Sequence, residues 1–176
     1  MGDLDMIIKQ DFIPKNHPAR PGLLLSKPTA ITIHWIGPYP KQTPAAVRNW
    51  WFKGEDGKGV QASAHYVVKD DEVLQVIPEG EVAWHCGSKG NYTSIGIEVI
   101  PMNLTGEFSG RTIETLAELL TKLPPLELLR HYDWTQKDCP RFYTPVTAIL
   151  DGGGRVANPE GGEARWKQLI EDLKAV

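Results

Sequence analysis

The chain has 176 residues, of which 41% are hydrophobic and 23% charged, so one globular domain can bury its own core. Its 19 basic and 22 acidic side chains leave a net charge of −3, and the basic residues are scattered, which argues against a nucleic-acid-binding protein. The opening residues are acidic where a signal peptide is basic, and their apolar run is short. We therefore expect a monomer that is synthesised in the cytoplasm without a signal peptide and does not insert into a membrane.

The N-terminal region is rich in proline. Four prolines within residues 1–28 restrict the backbone and remove amide donors, so we expect an extended segment that packs on a domain formed by residues 29–176. Directly after it, "AITIHWI" alternates with the period of a strand. This alternation places His34 on the opposite face from Ile33 in an interior strand.

The next elements are a capped helix and three strands. Thr43 followed by Pro44 supplies the N-cap and the first-turn proline of a short helix that ends near Gly54. "SAHYVV" and "EVLQVIP", on either side of the polar "KDD", predict a hairpin, and "SIGIEVI" predicts another strand. In that strand Glu98 faces the opposite side from Ile97.

The C-terminal half alternates helices with one more strand. Helical spacing of apolar residues from Ile113 to Leu120 predicts a helix that Pro124 ends, and "LELLRH" follows as a strand. Thr144 and Pro145 repeat the cap-plus-proline signal of a short helix. A final helix should bury four apolar side chains: Trp166, Leu169, Ile170 and Leu173. Strands interleaved with helices, one hairpin among them, predict an α/β fold: a single domain with a central mixed β-sheet flanked by helices.

The segment "LLRHYDWTQKDCP" is dense in reactive groups. His131 ends a predicted strand, and the loop to Cys139 is short enough to bring imidazole and thiolate onto one ion. With His34 they would give Zn²⁺ three protein ligands and leave its fourth tetrahedral position free for water, as in catalytic sites. Spacing alone leaves two other interpretations open: His34 as a buried structural histidine, and Cys139 with His131 as a metal-free thiol hydrolase.

The two cysteines allow one further interpretation. Cys86 and Cys139 are the only cysteines in the chain, so a single disulfide between them is possible. A domain of this size is stable without a crosslink, and we favour Cys86 as a small packing residue over a disulfide or a reactive thiol.

Five blocks of the sequence resemble a known family. "ITIHWIG", "SAHYVV", "AWHCG", "NYTSIGIEV" and "HYDWTQKDCP" have the order and rough spacing of the zinc-dependent N-acetylmuramoyl-L-alanine amidases of the type-2, peptidoglycan-recognition-protein-like family, over about residues 29–146. The last block resembles the family's H-x-D-x-x-x-K-x-C-P signature, and "DFIPKNHPARPG" is similar to the start of prophage and endolysin members. The resemblance implies that residues 29–176 are a zinc amidase catalytic domain with the peptidoglycan-recognition-protein fold.

The resemblance also implies a role for each candidate residue. It implies three zinc ligands: His34, His131 and Cys139. Glu98 would be the general base for the zinc-bound water, and Tyr66 would help to stabilise the oxyanion. Lys137 would do the same, because two residues before Cys139 it would share a face with it in an extended segment. His85 would contact the substrate.

The implied function is hydrolysis of the amide between N-acetylmuramic acid and L-alanine, with peptidoglycan or a muropeptide as substrate. Two alternatives are a non-catalytic peptidoglycan-binding module and the metal-free Cys/His hydrolase. Without a signal peptide, access to the cell wall would need holin-type release or lysis, which is typical of a phage or prophage lysin.

Overall fold

A six-stranded mixed β-sheet is the central element of the fold. The computed structural model describes residues 6–37, 39–146, 148–149, 155–156 and 159–175. The strands are β1 (Ile8–Gln10), β2 (Ala30–Trp35), β3 (Tyr66–Lys69), β4 (Glu72–Gln75), β5 (Ser94–Val99) and β6 (Glu127–Arg130). Their spatial order is β1-β4-β3-β5-β2-β6; the β3–β4 hairpin is antiparallel and the other neighbours are parallel. The mixed sheet predicted from the sequence is confirmed.

Helices and a short ribbon complete the described part of the chain. The helices are α1 (Pro44–Lys53), α2 (Ser88–Thr93), α3 (Gly110–Lys122), α4 (His131–Thr135) and α5 (Pro159–Lys174). A 3-10 turn at Arg141–Tyr143 follows α4, and β7 (Ala148–Ile149) pairs antiparallel with β8 (Arg155–Val156) in a separate sheet. Among the described helices, none is long and apolar enough to cross a membrane.

The helices cover both faces of the sheet and divide the core into two clusters. On one face, α3 and α5 bury their leucines against alternate residues of the central strands, such as Ile33 and Ile97. On the other face, α1 buries Trp51 against the sheet. Because side chains alternate along a strand, His34 and Glu98 lie on the α1 face.

The boundaries of α1 follow the predicted capping signals. The Thr43 hydroxyl accepts a hydrogen bond from the amide N–H of Ala46, and Pro44 occupies the first turn. Gly54 ends the helix with a φ of 59°, a conformation that glycine adopts without a steric penalty. The predicted helix is confirmed at both ends.

Thr144 and Pro145 do not begin a helix. Thr144 ends the 3-10 turn instead, and the short strand β7 follows. The Thr144 hydroxyl donates a hydrogen bond to the carboxylate of Asp138, so its side chain is directed back to the preceding loop. The short helix predicted here is therefore wrong.

The N-terminal segment contributes a strand to the sheet. β1 pairs in parallel with β4, and Ile13 and Leu25 are buried in the core. Arg20 adds two hydrogen bonds to the carboxylate of Glu81, at 2.7 and 2.6 Å. The N-terminal segment thus adds β1 to the sheet formed by the rest of the chain, and a domain boundary after residue 28 stays a prediction.

The ring of His65 connects the start of β3 to its neighbours. Its Nδ1 accepts the amide N–H of Gly96 at 2.9 Å, and its Nε2 donates to the carbonyl of Glu81 at 2.8 Å. Burial lowers the pKa of His65 to about 4. A protonated ring would direct a second N–H at the Gly96 amide, so the folded state requires the neutral ring.

We predict that His65 makes the free energy of unfolding depend on pH. Its folded pKa of about 4 lies below the value of about 6.5 in an unfolded chain, so the unfolded state binds the proton first as the pH falls. His65 therefore lowers the free energy of unfolding as the pH falls. Its full stabilising contribution is present above about pH 6.5, and roughly 3 kcal/mol is lost between about pH 6.5 and 4. Urea unfolding at about pH 7 and about pH 4 should show a smaller loss for His65→Gln than for the unaltered chain. An equal loss in both proteins would contradict this assignment.

Candidate metal centre

Parallel strand pairing brings the predicted site residues to one edge of the sheet. β2 pairs in register with β5, so that His34 lies beside Glu98. On its other side β2 pairs with β6, whose last residue, Arg130, lies opposite Ile33. His131 follows immediately and emerges at the same edge. Ligand sites in open α/β sheets lie at the carboxyl ends of parallel strands, as this edge does.

A short turn returns Cys139 to this edge. α4 begins at His131, and Gln136 ends it in the left-handed conformation, with a φ of 63°. Tyr132 donates its amide N–H to the carbonyl of Cys139 at 2.9 Å and so closes the loop. The segment is therefore not extended as predicted. Lys137 shares a cleft with Cys139 because of this turn and not because of strand alternation.

The three predicted ligands converge on one point. Their nitrogen and sulfur atoms lie within 4.8 Å of one another, and all three side chains are buried. His34 Nδ1 lies 3.7 Å from Cys139 Sγ. Bonds of about 2.05 Å to nitrogen and about 2.3 Å to sulfur at a tetrahedral angle would put these two atoms about 3.6 Å apart. The donor set therefore fits Zn²⁺, with one coordination position beyond the protein ligands.

A pair of buried rings orients His34. Its Nε2 lies 3.0 Å from His85 Nδ1, and His85 Nε2 lies 3.3 Å from the Ser94 carbonyl oxygen. A carbonyl only accepts, so His85 Nε2 carries the hydrogen and His85 Nδ1 accepts the Nε2–H of His34. Burial lowers the pKa of both rings well below the usual histidine value and keeps them neutral. The Nδ1 lone pair of His34 is thus directed at the other ligands.

Glu98 has a buried oxygen without a partner. Its Oε1 lies 4.0 Å from His34 Nδ1, and its Oε2 accepts no hydrogen bond from the described residues. Burial raises the pKa of Glu98 to about 8, against the lowering effect of Lys137. A buried carboxylate destabilises the folded state unless a cation pairs with it or a hydrogen-bond donor binds its oxygens. The unpaired oxygen beside the three ligands supports a cation site.

A second group of potential ligands overlaps the first. His34, His85 and Cys86 also place donor atoms within 4.8 Å of one another. In this group His34 Nε2 and His85 Nδ1 already share a hydrogen bond and His85 Nε2 bonds to the Ser94 carbonyl, so neither nitrogen of His85 is free to bind an ion. Cys86 and Cys139 are both free, so no disulfide joins them.

The ligands open into a cleft of about 310 Å³. Its lining includes four charged side chains: Glu98, Lys137, Asp138 and Arg141. Sequence reasoning identified Glu98 and Lys137 but missed Arg141, whose guanidinium lies 4.7 Å above the ring of Trp35. The available signal for Arg141 was its position directly after the family-like block, two residues beyond Cys139.

Tyr66 does not line this cleft. β3 pairs Val67 with Glu98, so the adjacent Tyr66 faces the opposite side of the sheet, where it packs with Ile97. Its hydroxyl donates a hydrogen bond to Glu79. This position does not permit the predicted contact with an oxyanion, because strand alternation separates the hydroxyl from the ligand cluster.

His85 lies in the cleft wall. Its ring is 9% exposed and its nitrogens bond to His34 and the Ser94 carbonyl. This geometry gives His85 an orienting contact with a ligand, which the sequence did not predict. Its predicted contact with substrate stays a prediction.

Residues 25–142 match the family described as N-acetylmuramoyl-L-alanine amidase. The chain belongs to this family. The matched range contains β2 to β6 and all three converging ligands. The family predicted from the five sequence blocks is therefore confirmed.

Curated and solved members of the amidase family support the match. The chain is 34% identical over 161 residues to the N-acetylmuramoyl-L-alanine amidase XlyA of Bacillus subtilis, which covers 84% of the chain and 52% of XlyA. It is 30% identical over 155 residues to CwlL of Bacillus licheniformis, covering 76% of the chain and 41% of CwlL. The chain thus spans about half or less of the length of these relatives.

The fold of the catalytic domain of XlyA is similar to that of the chain over most of its length. The TM-score is 0.71 at 26% identity, over 95% of the chain and 99% of that domain. A structure described as a mutant endolysin from Bacillus subtilis gives a TM-score of 0.63 at 32% identity, over 77% of the chain and 90% of that protein. The amidase-like version of the α/β fold is confirmed.

We predict that Cys139 and not Cys86 determines metal content. Cys139→Ala should lower the zinc content from one equivalent per chain to nearly none, because removing one of the three protein ligands removes much of the affinity for Zn²⁺. Cys86→Ala is the matched control, because it removes a buried thiol from the same edge and should leave zinc unchanged. Elemental analysis after dialysis measures both. Zinc loss in Cys86→Ala with retention in Cys139→Ala would assign the metal to the other group.

Proposed function

We propose that the chain is a zinc-dependent N-acetylmuramoyl-L-alanine amidase that cleaves the amide between the lactyl group of N-acetylmuramic acid and L-alanine in peptidoglycan. The observation that carries the proposal is the convergence of His34, His131 and Cys139 beside Glu98, whose Oε2 accepts no hydrogen bond from the described residues. The family match and the similarity to the catalytic domain of XlyA support the reaction class.

In the proposed reaction the bound metal ion activates the water and the scissile carbonyl, and Glu98 transfers the proton. Zn²⁺ held by the three ligands would supply Lewis-acid activation of water and of the scissile carbonyl. Glu98 would accept the proton of the attacking water and return it to the leaving amine of L-alanine. Burial raises the pKa of Glu98 to about 8 in the absence of a metal ion, and a bound Zn²⁺ would lower it toward neutral pH, where one carboxyl group can both accept a proton and return it.

Lys137 would stabilise the negative charge that develops on the scissile oxygen. Its side chain lines the cleft together with His34, Cys139 and Glu98, and it extends from the loop that carries Cys139. A cation aimed into a cleft walled by buried side chains is worth more there than in water. Because Tyr66 lies on the other face of the sheet, Lys137 would act without it.

The burial of Cys139 argues against the metal-free thiol hydrolase. Cys139 is 4% exposed, and burial raises the pKa of its thiol above the usual cysteine value. A nucleophilic cysteine needs an accessible thiolate with a lowered pKa. A non-catalytic binding module would need neither the three ligands nor an unpaired carboxylate, so it explains less of the site.

The cell wall would be the place of action. Structural neighbours described as endolysins are consistent with it, and release through a holin-type pore or by lysis stays a prediction.

We predict that Glu98→Gln retains zinc and loses turnover. The amide keeps the shape of the side chain but cannot accept the water proton, so hydrolysis of purified wall should fall by about 10²- to 10⁴-fold. New L-alanine amino termini, with no new reducing sugar ends, measure the reaction, and elemental analysis measures the metal.

The matched control is Glu114→Gln, which changes an exposed carboxylate of α3. It should retain both zinc and activity. Turnover in Glu98→Gln within about threefold of the unaltered chain would remove Glu98 from the role of general base.

A further inference from the structure

Arg141 is held rigidly at the rim of the candidate metal site. Its guanidinium lies 4.7 Å above the ring of Trp35, and its Nε donates to Asp138 Oδ2 at 3.1 Å. The Thr144 hydroxyl fixes the same Asp138 carboxylate from the other side. With 15% of its side chain exposed, Arg141 is a positioned group and not a mobile surface cation.

The guanidinium keeps part of its hydrogen-bonding capacity for a ligand. Within the part of the chain that the structure describes, its hydrogen bond uses Nε, and neither Nη group has a protein acceptor. An arginine has five N–H donors in a planar fork that matches a carboxylate. Arg141 can therefore bind a carboxylate at the cleft while it stays paired with Asp138.

The dimensions of the cleft define where that carboxylate would lie. Arg141 lines the same 310 Å³ cleft as His34 and Cys139. A sphere of that volume is about 8 Å across, and two residues of extended chain span roughly 7 Å. A peptide whose scissile carbonyl lies at the ligands thus brings a group two residues further along within reach of Arg141.

The stem peptide of peptidoglycan carries an acid at that distance. Its first residue is the L-alanine of the scissile amide, and its second is D-glutamate joined through the γ-carboxyl group. The α-carboxylate of the second residue is therefore free, and it is the first anionic group beyond the scissile bond. In many cell walls this group is amidated to D-isoglutamine, which lacks the charge.

We propose that Arg141 is a specificity-determining residue that binds the α-carboxylate of the second stem residue and so favours D-isoglutamate over D-isoglutamine. The inference rests on the amidase function proposed above. Arg141 would contact the substrate without being a zinc ligand, the general base Glu98 or the oxyanion-stabilising Lys137.

The surface next to the cleft has the charge expected for binding an anionic peptide. A groove of about 860 Å³ runs along α1 and shares Trp35, Trp51 and Lys137 with the cleft. Among its described lining residues the charged side chains are Lys53 and Lys137, and there is no carboxylate. A peptide that leaves the cleft past Arg141 would enter a groove of complementary charge.

Two muropeptides that differ only at the second residue test the proposal. Both contain N-acetylmuramic acid and the same stem peptide, with D-isoglutamate in one and D-isoglutamine in the other. A charge-assisted hydrogen bond predicts a kcat/KM at least about tenfold higher for the acid. Arg141→Gln should lower kcat/KM for the acid by a similar factor and leave the amide almost unchanged.

Arg111→Gln is the matched control, because it removes an exposed arginine that pairs with Asp71 far along the sequence from the site. It should keep the preference for the acid. The zinc content of Arg141→Gln should equal that of the unaltered chain, and its melting temperature should fall by only a few degrees, because the variant loses the contacts of Arg141 with Asp138 and Trp35. Equal kcat/KM values of the unaltered chain for the two muropeptides would overturn the inference and leave the amidase function intact. An equal loss on both substrates in Arg141→Gln would also overturn it, since it indicates a structural role.

A binding measurement separates this inference from the proposed function. Calorimetry with zinc-loaded Glu98→Gln compares the affinities of the two intact muropeptides without turnover. At least about tenfold tighter binding of the acid, abolished by adding Arg141→Gln, supports the inference even if no hydrolysis is detected. Equal affinities would overturn it. Failure of the unaltered chain to hydrolyse either muropeptide would instead contradict the amidase function.

Discussion

The parallel register of β2 with β5 and β6 is the constraint on which the site depends. It sets His34 opposite Glu98 and lets β6 end one residue before His131. A shift of one residue in either ladder would turn His34 or Glu98 toward the α3 and α5 layer and separate the ligands. The apolar residues that alternate with them, such as Ile33 and Ile97, fix this register because they must face that layer. The core and the site are thus specified by the same alternation.

The segment that carries the other two ligands is anchored by Arg130. This buried guanidinium bonds to Asp133 in α4, to the carbonyl of Tyr143 and to Glu163 in α5. It also lies 5.3 Å above the ring of Trp166. Arg130 therefore ties the end of β6 to both ends of the ligand segment and to the last helix. Removal of such a buried partner would leave carboxylates and a carbonyl uncompensated, so the loop depends on it as much as on its own turns.

Local patterns in the sequence predicted most of the fold, and the family-like blocks identified all four groups that lie together at the site: His34, His131, Cys139 and Glu98. Alternation gave the faces of His34 and Glu98, and capping residues gave the ends of α1, because these signals act within a few residues. Tyr66 was misplaced because a motif position does not reveal which face of β3 lies over Glu98; that depends on pairing between strands distant in sequence. Arg141 and the His34–His85 contact arise from loops packed against Trp35 and Ser94, which no local pattern encodes. The helix wrongly predicted at Thr144 has a similar cause, since the hydrogen bond of Thr144 to Asp138 belongs to the packing of the preceding loop, which the cap-plus-proline pattern does not show.

The central claim is that two imidazoles and one thiolate hold a single zinc ion and leave one position for a non-protein ligand. X-ray absorption at the zinc edge of the zinc-loaded protein measures this directly. The account predicts one sulfur at about 2.3 Å and three nitrogen or oxygen neighbours at about 2.0 Å. Two sulfur neighbours, or none, would contradict it.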